Sequence, residues 1–141
     1  MLQKNPTMTV VAAALVDAEG RVLLQQRAPE RSMAGLWEFP GGKVEMDELP
    51  EAALVRELEE ELGIQAQVEA LVPACFASAP LCGRHMILLL YICRRWRGEP
   101  QPLDAIALKW LRPAEMEAQA MPPADRPLIV MLESLLRTPE S

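Results

Sequence analysis

The stretch whose reading decides the fold runs from Leu36 to Ile64, LWEFPGGKVEMDELPEAALVRELEEELGI. From Pro50 onward the apolar residues Leu54, Leu58 and Leu62 recur every four positions. Pro50 suits a first helical turn and Gly63 the position just past the end, so the spacing predicts a helix over 50–62. At ~100° per residue, Leu54, Leu58 and Leu62 share one side, while Glu57, Glu60 and Glu61 crowd an arc of ~100° on another. Like charges three and four residues apart cost ~0.2–0.5 kcal/mol each, and these stand late in the helix, where the macrodipole is already negative. Arg56, four residues before Glu60, offsets part of that repulsion. Folding alone does not call for such a face, and the helix by itself reads equally as a solvated acidic face or as a cradle for a divalent cation. Hard Mg²⁺ prefers carboxylate oxygens, keeps several waters and is completed by substrate phosphates. Just upstream, Gly41 and Gly42 supply a turn whose backbone can approach a ligand closely, and Glu45 and Glu48 add acid beside it.

Working outward, Met8–Val16 and Arg21–Arg27 are Val-, Ala- and Leu-rich runs separated by the turn signal Asp17-Ala18-Glu19-Gly20, which predicts two strands joined as a hairpin. Ala28–Gly35 is a loop, and Leu36–Phe39 a short strand halted by Pro40-Gly41-Gly42. Gln67–Phe76 and His85–Trp96 are further predicted strands, the second closed by Arg97-Gly98-Glu99-Pro100. Leu103–Leu111 is a short apolar stretch, and Pro113–Ala118 suits a turn or two of helix. Over Arg126–Leu136 a stripe of Leu128, Leu132, Leu135 and Leu136 predicts a closing helix packed on the core. Strands interleaved with two good helices make a mixed α/β domain in which helices cover a sheet.

Length and composition bound the answer. The chain has 141 residues, half of them hydrophobic, the size of one domain with one core. A formal charge of −6 argues against a nucleic-acid polymer as partner, because binding one rests on basic residues neutralising phosphates. An acidic protein still binds a small phosphate ligand through a divalent metal. The longest apolar run, Met86–Cys93, is far short of the ~20 residues of a spanning helix. The polar start, Met1 to Met8, matches neither a secretory signal nor a transit peptide, which leaves the cytoplasm as the expected location. Cys75, Cys82 and Cys93 are odd in number and lack a Cys-x-x-Cys pair, so buried free thiols are expected rather than disulfides or zinc. Trp37, Trp96 and Trp110 sit at element boundaries and read as packing residues.

Gly42, then Glu48, then Arg56-Glu57-Leu58-Glu59-Glu60-Glu61-Leu62-Gly63-Ile64 resembles a complete Nudix box. The likeness extends to Arg27, to Leu36–Lys43, to Arg84-His85 and the strand after it, and to Pro122–Pro127, and so covers nearly the whole chain. These features resemble the MutT-like branch of the Nudix hydrolase superfamily. The resemblance implies a single domain over residues 5–138 with the Nudix fold, a mixed β-sheet sandwiched between α-helices. It implies a Mg²⁺-dependent pyrophosphohydrolase, with Mn²⁺ able to substitute, that attacks the inner, β phosphorus of a nucleoside triphosphate and releases nucleoside monophosphate and pyrophosphate. The expected partner is a small-molecule nucleotide, with no polymer or membrane; the sequence leaves the oligomeric state open, with a monomer favoured over an oligomer.

The resemblance also carries roles. Glu57, Glu60, Glu61 and the backbone of Gly41 are implied metal ligands, with Asp104 as a further acidic ligand. Glu60 is also a candidate for handling the attacking water, and Arg56 and Glu48 are implied to orient the catalytic carboxylates through an ion pair. Arg27, Glu38, Phe39, Pro40, Gly41, Gly42, Arg84 and Asp125 are implied to bind the nucleotide. In the branch an asparagine that reads oxidised guanine stands where this chain has Asp125, and an ionised carboxylate only accepts hydrogen bonds. 8-oxo-dGTP, whose removal protects replication from oxidised nucleotides, therefore competes with CTP or dCTP as the expected substrate. ADP-ribose hydrolysis and a non-catalytic nucleotide sensor are the other readings; the sensor would be expected to lack box carboxylates that are present here.

Overall fold

The computed structural model describes residues 7–81 and 83–137. Cys82, the residues before Thr7 and the expected domain bounds at 5 and 138 lie outside the described residues. The elements are β1 (Thr7–Leu15), β2 (Val22–Gln26), β3 (Trp37–Glu38), β4 (Gly41–Lys43), α1 (Pro50–Leu62), β5 (Leu71–Leu81), β6 (Arg84–Cys93), β7 (Ala107–Leu111), α2 (Pro113–Met116) and α3 (Arg126–Arg137). Short 3₁₀ turns cover Val68–Ala70 and Pro123–Asp125.

Small and branched apolar residues on both faces suit a strand covered from both sides, and β1 is that strand. Val11, Ala13 and Leu15 point into one core, and Ala12 and Ala14 into another. β1 runs parallel to β6 and antiparallel to β4, inside a mixed sheet ordered β4-β1-β6-β5. α1 covers one face through Leu54, Leu58 and Leu62, and α3 covers the other through Leu128, Ile129 and Leu132. The expected mixed sheet between helices is therefore present. A second, antiparallel sheet ordered β3-β2-β7 accompanies it.

Local differences from expectation have physical reasons. The turn at Asp17–Gly20 forms, but β1 and β2 share only the bridge from Val16 to Val22. Both edges of β1 are already taken by β4 and β6, so β2 leaves for the other sheet and the hairpin is not built. Val68–Ala70 is a 3₁₀ turn rather than strand, and β6 stops at Cys93, before the arginines at 94 and 95. In α3, Ile129 is buried while Leu135 is 44% exposed. Cys93 is buried and Cys75 half-buried, and both are free thiols. The ring pair Trp96 and Trp110 stacks at 6.2 Å, against the core under α1. Among the described residues no helix is long and apolar enough to cross a membrane.

α1 begins at Pro50 and ends where Gly63 takes φ 71°, its N–H donating to Glu59 O at 3.0 Å, the left-handed conformation glycine adopts without steric cost. Leu58, with no exposed surface, locks the helix to the sheet. Leu58→Ala should cost ~2–5 kcal/mol of unfolding free energy, read from urea unfolding at constant slope. A loss below ~1 kcal/mol would show that α1 is not anchored by this face.

Candidate active site

The acidic face of α1 meets β4 across two glycines. A Cβ on Gly41 would lie 2.0 Å from Val11 O, so β4 can lie on β1 only with no side chain there. A Cβ on Gly42 would lie 2.4 Å from Glu57 Cδ, so the space that a side chain would fill belongs to that carboxyl group.

Arg56 organises the outer part of the group and is only 25% exposed along its side chain. Its Nε and Nη2 donate to the two oxygens of Glu48 at 2.8 and 2.9 Å. Nη1 donates to Glu57 Oε2 at 3.0 Å and to Glu60 Oε1 at 3.4 Å, and Nη2 also reaches Lys43 O at 3.2 Å. Glu48 is steadied from the other side by the Glu45 N–H at 3.0 Å. The guanidinium and that N–H hold the Glu48 carboxyl down at about 2, while Glu48 and Glu57 hold the Arg56 guanidinium above its ordinary value. The expected ion pair of Arg56 and Glu48 is thus formed.

Deeper in, burial pushes the Glu61 carboxyl up to about 8, against hydrogen bonds from Gln25 and from the Gly41 N–H, while the charge of Glu57 raises it further. Burial also raises Glu57, against the pull of Arg56, and the charge of Glu60 adds to the rise. Neighbouring carboxylates that raise one another in this way favour a proton or a cation between them. Gln25 Nε2 donates to Glu61 Oε1 at 3.0 Å and Gly41 N donates to the same oxygen at 3.2 Å. Gln25 Nε2 also stands 3.4 Å from Glu38 Oε2, and Glu38 Oε1 pairs with Arg27 Nη1 at 2.8 Å. Burial raises the Glu38 carboxyl, against Arg27.

Asp125 closes the group from the far side of the sheet. Its side chain is buried, and its Oδ2 accepts from Phe39 N at 3.4 Å. Burial, then the charge of Glu38, lifts it to about 7. The Phe39 ring is itself buried in the core beneath α3, and the Pro40 carbonyl accepts from Ala13 N at 2.9 Å, so these two residues fix the chain on which Asp125 rests.

Three expected site residues stand apart. Asp104 is 42% exposed and held by Arg31 at 2.7 Å, near enough to Glu38 to be felt by it but in no contact with Glu57 or Glu61. Glu60 is 59% exposed and turns toward Arg56. Arg84 opens β6, exposed, and has no side-chain hydrogen bond or ion pair among the described residues. In keeping with this, no three His, Cys, Asp or Glu side chains among the described residues form a ready-made metal cage.

Gln25 was not anticipated. The available signal was the two-residue period of a strand: Leu23, Gln25 and Arg27 share a face, so a residue between a core leucine and a ligand-facing arginine had to lie in the site. A surface depression of about 610 Å³, lined by Val16, Asp17, Ala18, Arg94, Arg95 and Trp96, shares no residue with this group.

A clamped arginine, paired carboxylates late on a helix and a glycine turn across them, on helices covering a mixed sheet, make one acidic site whose oxygen ligands suit a divalent cation. The model of the NUDIX domain matches residues 6–132, and the chain belongs to the Nudix hydrolase family. It is 42% identical over 122 residues to the CTP pyrophosphohydrolase of Escherichia coli (strain K12), spanning 86% of this chain and 89% of that protein. It is 34% identical over 128 residues to the 8-oxo-dGTP diphosphatase of the same organism, spanning 91% and 98%. The solution structure of the E. coli ORF135 protein superimposes with a TM-score of 0.83 at 38% identity, covering 93% of this chain and 91% of that one.

Two outcomes follow from this geometry. Gly42→Ala should displace the flexible Glu57 carboxyl and lower kcat by about ten- to a hundredfold, with the melting temperature nearly unchanged; full activity would show that Glu57 is not needed where it stands. For Asp125 the sign is that of a raised acid. Its ionisation opposes folding increasingly as pH climbs from the ordinary 3.8, and fully above about 7. Asp125→Asn should therefore gain stability on the order of 2–4 kcal/mol at pH 8 and little at pH 4, as followed by denaturant titration. An equal change at both pH values would contradict a buried charge.

Proposed function

We propose that this Nudix hydrolase is a Mg²⁺-dependent nucleoside triphosphate pyrophosphohydrolase, releasing nucleoside monophosphate and pyrophosphate. The observation that carries the reading is the pair of half-buried acids on one helix face, Glu57 with its carboxyl in the space a Gly42 side chain would need and Glu61 close enough to feel its charge. Their hard oxygens and raised proton affinities fit Mg²⁺, or Mn²⁺ in its place, and an open arrangement leaves positions for water and phosphate oxygens. Glu57 and Glu61 would hold the ion, with the Gly41 backbone and the exposed Glu60 completing the protein side as phosphates arrive. Bound there, the cation would offset polyphosphate charge and raise the acidity of the attacking water.

The chain's own residues do the rest. Arg56 keeps Glu57 turned to the furrow and holds Glu60 by one oxygen only, at 3.4 Å, so that its other oxygen can accept a proton. Arg27, with Nη1 held by Glu38 and Nε by the Ser32 carbonyl, offers its second Nη1 and Nη2 hydrogens to phosphate or sugar. Asp125 meets the base, and Asp104 and Arg84 lie at the rim as candidates for later engagement. The domain is taken to span 5–138, as a cytoplasmic monomer acting on a free nucleotide rather than a polymer.

For the base, 8-oxo-dGTP is the first reading, supported by the named 8-oxo-dGTP diphosphatase relative and implying protection of replication. CTP or dCTP is favoured by a specific observation, the carboxylate at Asp125. Above about 7 it only accepts, and so suits the exocyclic amine of cytosine; protonated, it can also donate to an oxidised purine. The test is pyrophosphate and orthophosphate release at pH 6 and pH 9 from 8-oxo-dGTP, dGTP, CTP, dCTP and ADP-ribose, with Glu57→Gln and Glu61→Gln as controls. Pyrophosphate released fastest from 8-oxo-dGTP supports the first reading, and fastest release from CTP or dCTP the second. Absence of Mg²⁺-dependent turnover of every compound would overturn the activity.

A further inference from the structure

Gln25 is only 2% exposed, and its carbonyl Oε1 is buried with no hydrogen-bond partner among the described residues. A buried amide oxygen left unpaired is a net cost to folding, so packing alone would favour a methionine or leucine at this point of β2. What the side chain does instead is bring one nitrogen to two acids, Glu61 Oε1 at 3.0 Å and Glu38 Oε2 at 3.4 Å. Turned round, the amide would set its oxygen against both carboxylates, so the surroundings select the donating orientation.

The amide is the middle of a continuous chain of contacts. Arg27 Nε donates to Ser32 O at 2.7 Å and Nη1 to Glu38 at 2.8 Å; Gln25 joins Glu38 to Glu61, and Glu61 accepts from Gly41 N at 3.2 Å. Glu61 Oε1 thus receives two N–H groups, while no N–H donor among the described residues reaches Oε2. We infer that Gln25 is a positioning residue: its amide holds Glu61 by Oε1, leaves Oε2 for the cation beside Glu57, and ties that carboxylate to the Arg27 and Glu38 pair on the nucleotide side. The unpaired Oε1 is the stability given up for this placement. The inference rests on Glu61 being a metal ligand, as proposed above.

Gln25→Met keeps the length and removes both the donor and the orphan oxygen, and Gln25→Leu serves if the thioether packs badly. Full-length wild type, Gln25→Met and Glu61→Gln are compared by Mn²⁺ titration followed by electron paramagnetic resonance, by thermal unfolding, and by kcat and KM. Gln25→Met should bind Mn²⁺ about ten- to a hundredfold more weakly and lose kcat to a similar degree, with KM within about twofold and a melting temperature unchanged or raised. Wild-type Mn²⁺ affinity and kcat with a lowered melting temperature would make Gln25 a structural residue and overturn the inference. If Glu61→Gln also binds Mn²⁺ like wild type, it is the metal role of Glu61 that fails, and the role of Gln25 fails with it.

Discussion

The site depends on one cation in the right place. Crowding Glu57, Glu60 and Glu61 onto the last turns of a helix sets like charges against one another and against the helix dipole. Arg56 makes that arrangement tenable. From a single side chain it holds both oxygens of Glu48, one of Glu57, one of Glu60 and the Lys43 carbonyl. The segment after β4 is thereby fastened to α1 by side-chain contacts. A lysine could not do this, because a point charge on a flexible stem lacks the planar fork that grips Glu48 with two donors and still reaches Glu57.

The apolar side of the same helix makes the polar side affordable. Leu54, Leu58 and Leu62 have no exposed surface, and their packing against β1 fixes where the carboxylates stand, with no help from the carboxylates themselves. Folding can therefore carry groups that oppose it: Glu61 lifted to about 8, Asp125 to about 7 and the orphan oxygen of Gln25. Strain of this kind gathers where a ligand is to be bound and is supported by structure elsewhere.

How much of this was legible in the sequence follows from which forces are local. The helix over 50–62, its glycine stop and its two faces depend on spacing within a few residues, and spacing can be read; the pair of Arg56 and Glu48 came from the resemblance to the Nudix box. That helices cover a sheet could be read from the alternation of strand and helix patterns, whereas the sandwich about a mixed sheet was implied by the resemblance. The hairpin could not, because whether β2 pairs with β1 is settled by β4 and β6, which compete for the same edges from 30 and more than 70 residues away. Asp104 looked available in the sequence; its partner Arg31 lies 73 positions away. Gln25 escaped for a related reason: the strand period places it on one face with Leu23 and Arg27, but its partners Glu38 and Glu61 come from different elements.

Burial links these observations to chemistry. In water, a glutamine beside two glutamates would exchange them freely for solvent, and the contacts would be worth little. In the furrow between α1, β2 and β4 little solvent competes, so a single amide can set which oxygen of Glu61 is engaged. The same exclusion raises the proton affinities of Glu57 and Glu61, and with them the gain when a divalent ion takes the proton's place. The acids are costly to bury alone, and the cation proposed for the site would offset that cost. The penalty of burying Glu57 and Glu61 and the gain from binding such an ion would then have one cause, their desolvation.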